Sequence, residues 1–305
     1  MRVAFLGNDR RSVPSLEALA RSSHQVVLVV CRPPVPAGRG GRLSPAPTAE
    51  AARSLGLPLL ETATVKEGEG WERLAETAPD ALAVVAYGEI LPARVLELPA
   101  VAPVNVHFSL LPALRGADPV RRALLEGLTR TGVTAIRMDE GMDTGPILLR
   151  EEVAISDGED AGSLGSRLAD LGGDLLVRAL DALEDGSVRE RPQGPDGATM
   201  APKLGPEEEW IDWSEGAEAV WRRVRALAPE PGARTRFRDR LVKVLRVTPA
   251  DGAGDPGAIL EGDPLTVAAG GGAVVLDEVV PEGRRPMGGS DFARGQRLRP
   301  GERFG

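Results

Sequence analysis

Cysteine and histidine are nearly missing from this 305-residue chain, with one of the former, Cys31, and two of the latter. A single cysteine excludes an intramolecular disulfide and any cysteine-based metal cluster, which fits a reducing compartment. Aromatic residues make up only 3% of the chain, with one tyrosine, so the cores are expected to rest on Leu, Val, Ala and Ile. No apolar run approaches the roughly 20 residues that a membrane-spanning helix needs. The opening Met-Arg-Val-Ala-Phe-Leu-Gly carries too short an apolar run for a secretory leader, so a cytoplasmic protein is expected. Positive charge is also in deficit: 37 basic against 45 acidic side chains leave a net charge of -8. That argues against a protein that coats nucleic acid over its whole surface, but not against a local basic face.

A hydrophobic fraction of 42% is ordinary for a globular chain, and the length suggests two domains at roughly 150 residues each. The short apolar run Val3 to Leu6, then Gln25–Cys31 (QVVLVVC), Ala81–Ala86 and Val104–His107, read as strands, the fuller runs being those of a sheet covered on both faces. Helical patterns at Val13–Ala20, Thr48–Leu55, Trp71–Thr77, Leu91–Leu98 and Pro119–Glu126 alternate with them. The expected architecture is α/β, a Rossmann-like doubly wound, mostly parallel sheet. Gly132–Met138 and Pro146–Ile155 add two strands, and Ala161–Leu183 a long helix. Residues 187–206, dense in Pro, Gly and charge, read as a linker between domains at 1–186 and 207–305. Ser214 is the expected N-cap of a helix over Ala217–Leu227. Short strands between Gly and Pro turns follow, as in a smaller β-barrel of the OB type, with Gly270–Gly272 a tight turn.

Gly7 closes the first strand but is followed by Asn8-Asp9-Arg10-Arg11-Ser12, which lacks the spaced glycines of a dinucleotide fingerprint. His24 has no metal-ligating company in sequence and reads as a boundary residue, and Cys31 as a buried, inert thiol. His107 differs. In Asn105-Val106-His107 a strand projects both polar side chains to one face, at the carboxyl end where open α/β sheets build their sites. Asp143, in an Asp-Thr-Gly turn between two later strands, can bring a carboxylate to the same crevice. An amide donor, an imidazole and a carboxylate suit attack of an amine on a carbonyl.

Asn105-Val106-His107-Phe108-Ser109-Leu110-Leu111-Pro112, Arg115-Gly116-Ala117-Asp118-Pro119 and Met138-Asp139-Glu140-Gly141-Met142-Asp143-Thr144-Gly145 together closely resemble the 10-formyltetrahydrofolate-dependent formyltransferases. The resemblance covers almost the whole chain. The loop Pro36-Ala37-Gly38-Arg39-Gly40 and the second domain point to the branch that acts on a charged initiator tRNA. It implies Asn105, His107 and Asp143 as catalytic, with 10-formyltetrahydrofolate as co-substrate and no metal. Tyr87, Gly88, Ile90, Leu91, Ser109, Leu110, Leu111 and Pro112 would line the folate pocket, with Asp139 near the pteridine. Asn105 and a protonated His107 would donate to the oxyanion, while Asp143 would help remove the amine proton. The sequence departs from the family pattern at Asn8-Asp9, at Arg32-Pro33-Pro34-Val35, at Thr48 in place of a lysine, at Ala113, at Asp118 and at Ala228-Pro229-Glu230-Pro231.

From Arg222 to Arg246 nine basic residues face two acids, a local balance of +7. Arg223, Arg236 and Lys243, with Arg39 and Arg42 of the loop, are the candidate contacts to methionyl initiator tRNA. A monomer is expected. Two other readings stay open: a paralogous formyltransferase acting on another amine, such as an amino sugar nucleotide or a metabolite, and a non-catalytic RNA-binding protein on the same scaffold.

Overall fold

The structure, a computed structural model, describes residues 1–37 and 42–305. They fall into two compact units, one of residues 1–119, 130–154 and 165–202 and the other of residues 120–129, 155–164 and 203–305. In chain order the first 202 residues carry β1 (Arg2–Gly7), α1 (Val13–Arg21), β2 (Gln25–Cys31), β3 (Val35–Ala37), β4 (Arg42–Ser44), α2 (Pro47–Ser54), β5 (Leu59–Glu61), α3 (Gly68–Glu76), β6 (Ala81–Val85), α4 (Ala93–Leu96), β7 (Ala102–His107), α5 (Pro119–Leu125), β8 (Arg130–Arg137), β9 (Ile147–Ala154) and α6 (Ala161–Glu184).

Seven strands form the main sheet in the order β5-β2-β1-β6-β7-β8-β9. The five from β5 to β7 run parallel, while β8 and β9 join antiparallel. The expectation of a mostly parallel, doubly wound sheet is borne out. Val3, Ala4, Phe5 and Leu6 are wholly buried, as are Ala81, Leu82 and Ala83, because a central parallel strand has helices on both faces. The edge strand β9 shows the other pattern, with exposed and half-buried residues alternating from Leu149 to Ala154. The chain builds outward from β1 through β2 to β5, then returns to β6 on the far side of β1. The crevice at such a reversal is where open sheets bind ligands. Here the loops after β1 and β6 meet, and the Asn8 amide donates to the Tyr87 carbonyl.

The second unit contains α7 (Ala217–Leu227), β10 (Ala233–Phe237), β11 (Arg240–Ala250), β12 (Ile259–Gly262), β13 (Leu265–Ala268), β14 (Ala273–Pro281), β15 (Met287–Gly288) and α8 (Gly289–Gln296). Its strands are antiparallel in the order β10-β11-β14-β13-β12, with β15 on β14. The last residues bridge the two edges: Phe304 pairs with Phe237 of β10, and Arg303 with Ala258 beside β12. This closure covers both open edges, which would otherwise expose unpaired backbone groups. The scarce aromatics concentrate here. Phe304 stacks at 5.2 Å from Phe237 and 6.0 Å from Trp213, so this core does not rest on aliphatics alone.

One local expectation changes and another holds. Ser214 does not cap α7, because its hydroxyl is taken by Asp212 Oδ1 at 2.6 Å; the cap position is Gly216. The Gly270–Gly272 turn does connect β13 to β14, and its Gly271 carbonyl accepts the Ala217 N–H at 2.9 Å, satisfying a donor at the start of α7.

Candidate active site

Asn105 and His107 lie on β7 and, two residues apart, present their side chains to one carboxylate. Asn105 Nδ2 donates to Asp143 Oδ1 at 3.3 Å, and His107 Nδ1 lies 3.5 Å from Asp143 Oδ2. The Gly116 N–H donates to the same Oδ2 at 2.9 Å. Both side chains are largely shielded, His107 at 7% and Asp143 at 15% exposure, so their electrostatic interaction is less screened than a surface pair. His107 Nε2 lies 2.8 Å from the Leu114 carbonyl. A carbonyl only accepts, so Nε2 carries a hydrogen there, and Nδ1 is the atom left to face Asp143. Neither ring nitrogen is aimed at open space, which differs from the expectation that His107 donates directly to an oxyanion. Asn105 is a half-buried amide whose bond to Asp143 is long.

Two loops hold this group together. Ser109 donates to the Ala113 carbonyl at 2.6 Å, and Thr134 Oγ1 to the Ser109 carbonyl at 2.7 Å. The Leu114 N–H reaches Thr199 Oγ1 at 2.9 Å. Gly116 has φ +118, and a Cβ on it would stand 2.9 Å from the Ala201 carbonyl oxygen, so only glycine lets its N–H approach Asp143. Asp143 itself has φ +54, a left-handed conformation that Asp tolerates better than most residues. At Gly145 a Cβ would collide with the Arg137 carbonyl oxygen at 1.8 Å, which explains the glycine of Asp-Thr-Gly. Sequence reasoning missed the contribution of residues 187–202, whose linker-like composition hid it. Arg191 pairs with Ile147, and Thr199 and Ala201 bond Arg115. Gln193 donates to the carbonyls of Asp143 and Gly145 at 2.9 and 2.6 Å.

The residues expected to line a pocket divide into framework and rim. Tyr87, Leu91 and Leu111 are 3% exposed or less, and Ser109 is wholly buried. Burial, reinforced by Glu89, pushes the Tyr87 hydroxyl far above its ordinary pKa. Asp139 Oδ1 accepts from Thr144 at 2.7 Å and from the Gly141 N–H at 3.1 Å, organising the turn that delivers Asp143. Gly88 and Ile90 are exposed, with Leu110 and Pro112 intermediate. Ile90 at 68% and Met142 at 51% leave large apolar side chains open to solvent.

Several departures from the family pattern make defined contacts within this unit. Arg11 grips Asp9 at 2.9 and 3.1 Å. Burial works to lower its pKa, but Asp9 and then Asp118 outweigh that and raise it. The charge added at Asp118 therefore meets a buried cation. Thr48 forms a hydroxyl pair with Ser12 at 2.6 Å, both wholly buried. Arg32 is tied to Asn8 at 2.7 Å through its N–H and to the Gly88 carbonyl at 2.9 Å through its guanidinium.

His24 is buried, with Asp181 at 3.2 Å from Nε2 and Glu184 at 3.7 Å from Nδ1. The Met1 amine donates to Glu184 at 2.7 Å. The carboxylates flank different ring nitrogens, only one of which an imidazole offers to a given ion. The cluster clasps the chain start to α6. No described helix is long and apolar enough to cross a membrane.

In the second unit Arg223 is a cross-link, bonded to both oxygens of Glu215 at 3.0 Å and to the Glu208 carbonyl at 2.9 Å. Arg236 is exposed, with its guanidinium 5.3 Å from the Trp210 ring centroid, and Lys243 stands on the neighbouring strand of the same face. Arg39 and the side chain of Arg42 lie outside the described residues.

Known proteins resemble this chain over nearly its whole length. A family model described as formyl transferase matches residues 1–180, and one described as formyl transferase, C-terminal domain, matches residues 203–297. A methionyl-tRNA formyltransferase of Thermus thermophilus is 46% identical over 307 aligned positions, covering 100% of this chain and 99% of that protein. One from Solibacter usitatus is 43% identical, again covering 100% and 99%. Among solved structures, HypX from Aquifex aeolicus, in complex with tetrahydrofolic acid, superposes with a TM-score of 0.67 at 18% identity, over 96% of this chain and 47% of that one.

Proposed function

The chain belongs to the formyl transferase family, and on that premise we propose that it transfers a formyl group from 10-formyltetrahydrofolate to the amino group of methionyl initiator tRNA. The observation that carries this reading is the convergence of Asn105, His107 and the Gly116 N–H on one shielded carboxylate, Asp143. Folate supplies the activated formyl group. The exposed apolar side chains of Ile90 and Met142, next to polar groups at the site, suit a flat heteroaromatic ligand with a few hydrogen-bonding edges.

The methionyl amine attacks the formyl carbon, and no covalent bond to the protein is needed. As charge develops on the carbonyl oxygen, the Asn105 amide donates to it; losing such a donor typically costs about 10²–10³ in rate. Asp143 accepts the proton released by the amine, directly or through one water, and returns it to the departing folate nitrogen as the carbon–nitrogen bond breaks. His107, fixed by Leu114, faces the carboxylate through Nδ1 and holds the charge balance of the pair while the proton moves. Arg236 and Lys243 face the phosphate backbone of the acceptor.

The test gives the purified protein 10-formyltetrahydrofolate with either charged initiator tRNA or small amino sugars and amino sugar nucleotides. Formyl-methionine on the tRNA is the expected product. Transfer only to the small amines refutes the acceptor assignment, and no transfer to any acceptor refutes the catalytic reading.

A further inference from the structure

Asp143 is held from two directions by one closed circuit of hydrogen bonds. Gln193 Nε2 donates to the Asp143 and Gly145 carbonyls at 2.9 and 2.6 Å. Its Oε1 accepts from Arg115 Nη2 at 2.8 Å and Nε at 3.3 Å. The residue after Arg115, Gly116, donates its N–H to the Asp143 carboxylate at 2.9 Å. Backbone and side chain of Asp143 are thus fixed against each other through Gln193 and Arg115. The need for such fixing is visible in the backbone, because Asp143 sits at φ +54, a left-handed conformation that costs a residue with a Cβ some energy even where aspartate tolerates it. Gln193 uses both ends of its amide for this purpose. A hydrophobic isostere would fill the space but hold neither carbonyl, and a glutamate would turn an oxygen toward both.

We propose that Gln193 is a positioning residue that sets the Asp143 carboxylate at its proton-accepting place, acting from a segment whose composition resembles a linker. This rests on the reading of Asp143 as the proton acceptor. Gln193 itself touches no reacting atom.

The experiment uses the full chain with Gln193→Met, nearly isosteric, and Gln193→Glu, which keeps the Arg115 contact. Each is measured for kcat and for KM of both substrates, alone and combined with Asp143→Asn. If one variant lowers the melting temperature, the other carries the measurement. The expected result is a kcat about 10²-fold lower, the order of loss that follows from misplacing a reacting group by about 1 Å, with KM changed less than about threefold. In the Asp143→Asn background the Gln193 change should have little further effect, because residues that act as one unit are not additive. A merely structural role predicts losses that multiply, and that result overturns the proposal. A kcat within twofold of wild type in a folded Gln193 variant, beside a crippled Asp143→Asn, overturns it while leaving the site reading intact. Near-normal turnover in Asp143→Asn alone overturns the site reading, and this proposal with it.

Discussion

Replacing Asp143 by asparagine changes one atom and tests the site at its centre. The carboxylate offers two acceptor oxygens: Oδ2 takes the Gly116 N–H at 2.9 Å and Oδ1 faces Asn105 Nδ2 at 3.3 Å. An asparagine has one oxygen and one amide nitrogen. With its oxygen toward Gly116, its NH₂ confronts the NH₂ of Asn105; flipped, its NH₂ confronts the Gly116 N–H. Either way a partly buried donor meets a donor, at about 1–3 kcal/mol. Turning Asn105 away relieves the clash but moves the oxyanion donor out of line. The variant also removes the proton acceptor, worth about 10²–10⁴ in rate. These effects fall on one cooperating group, so they do not simply multiply, and a single-turnover rate reduced about 10³-fold is expected. The stability cost of about 1–3 kcal/mol leaves the protein folded at 25 °C, which calorimetry checks. The assay is rapid-quench formyl transfer with enzyme in excess over charged tRNA. A folded Asp143→Asn protein transferring within tenfold of the wild-type rate would refute the reasoning.

Phe304→Ala should destabilise the second unit by about 3–5 kcal/mol, because the ring is 2% exposed and packs on Phe237 and Trp213; a denaturant midpoint shifted by less than about 1 kcal/mol would show that the chain end does not close the barrel. Burial, with Glu61 adding to it, pushes the Cys31 thiol up to about 11 from 9.0. The folded chain therefore holds a proton that the unfolded chain loses, a stabilisation fully present below about pH 9 and lost as pH rises through about 11. At pH 8 a thiol reagent should modify Cys31 only as fast as the protein opens, and reaction at the rate of a free thiol contradicts its burial.

The strands were legible because a buried parallel strand leaves a nearly continuous apolar run, as in Gln25–Cys31, that few other elements produce. The pairing of Asn105 with His107 followed from the period of two along a strand. What the residues could not disclose was long-range or aperiodic. Gln193 reaches Asp143 from 50 positions away, and no local pattern marks that contact. Loop side chains lack a period that would tell an inward residue from an outward one, so no local pattern marks Tyr87, Leu91 and Leu111 as packed inside. Strand β10, Ala-Arg-Thr-Arg-Phe, hides its inward face behind two arginines. Ser214 read as a helix cap because an N-cap signal does not show that a nearby carboxylate will claim the hydroxyl.

Charge counted along the sequence overstates what the second unit can offer a polyanion. Of the nine basic residues from Arg222 to Arg246, four are matched by acids: Arg222 by Glu218, Arg223 by Glu215, Arg234 by Glu209 and Arg238 by Glu302. Arg225 is turned to the carbonyls of Glu159 and Ser156. Among the described residues Arg236, Arg240, Lys243 and Arg246 form no ion pair. If each of these neutralises a phosphate, the log–log salt slope of RNA binding from this unit is about -3 to -4, taking roughly 0.7–0.9 per contact, and not the roughly -6 to -8 that nine free cations would give. The register supplies a matched control. Arg234 and Lys243 stand directly opposite each other on β10 and β11, share a face, and differ in that Glu209 holds only the arginine, at 2.8 Å. Lys243→Ala should weaken binding and reduce the slope by about one. Arg234→Ala should leave the slope unchanged, because a guanidinium already held by Glu209 neutralises no phosphate. Equal slopes lost in the two variants would mean that Glu209 yields its partner on binding, and the count of available cations would then have to include the paired arginines.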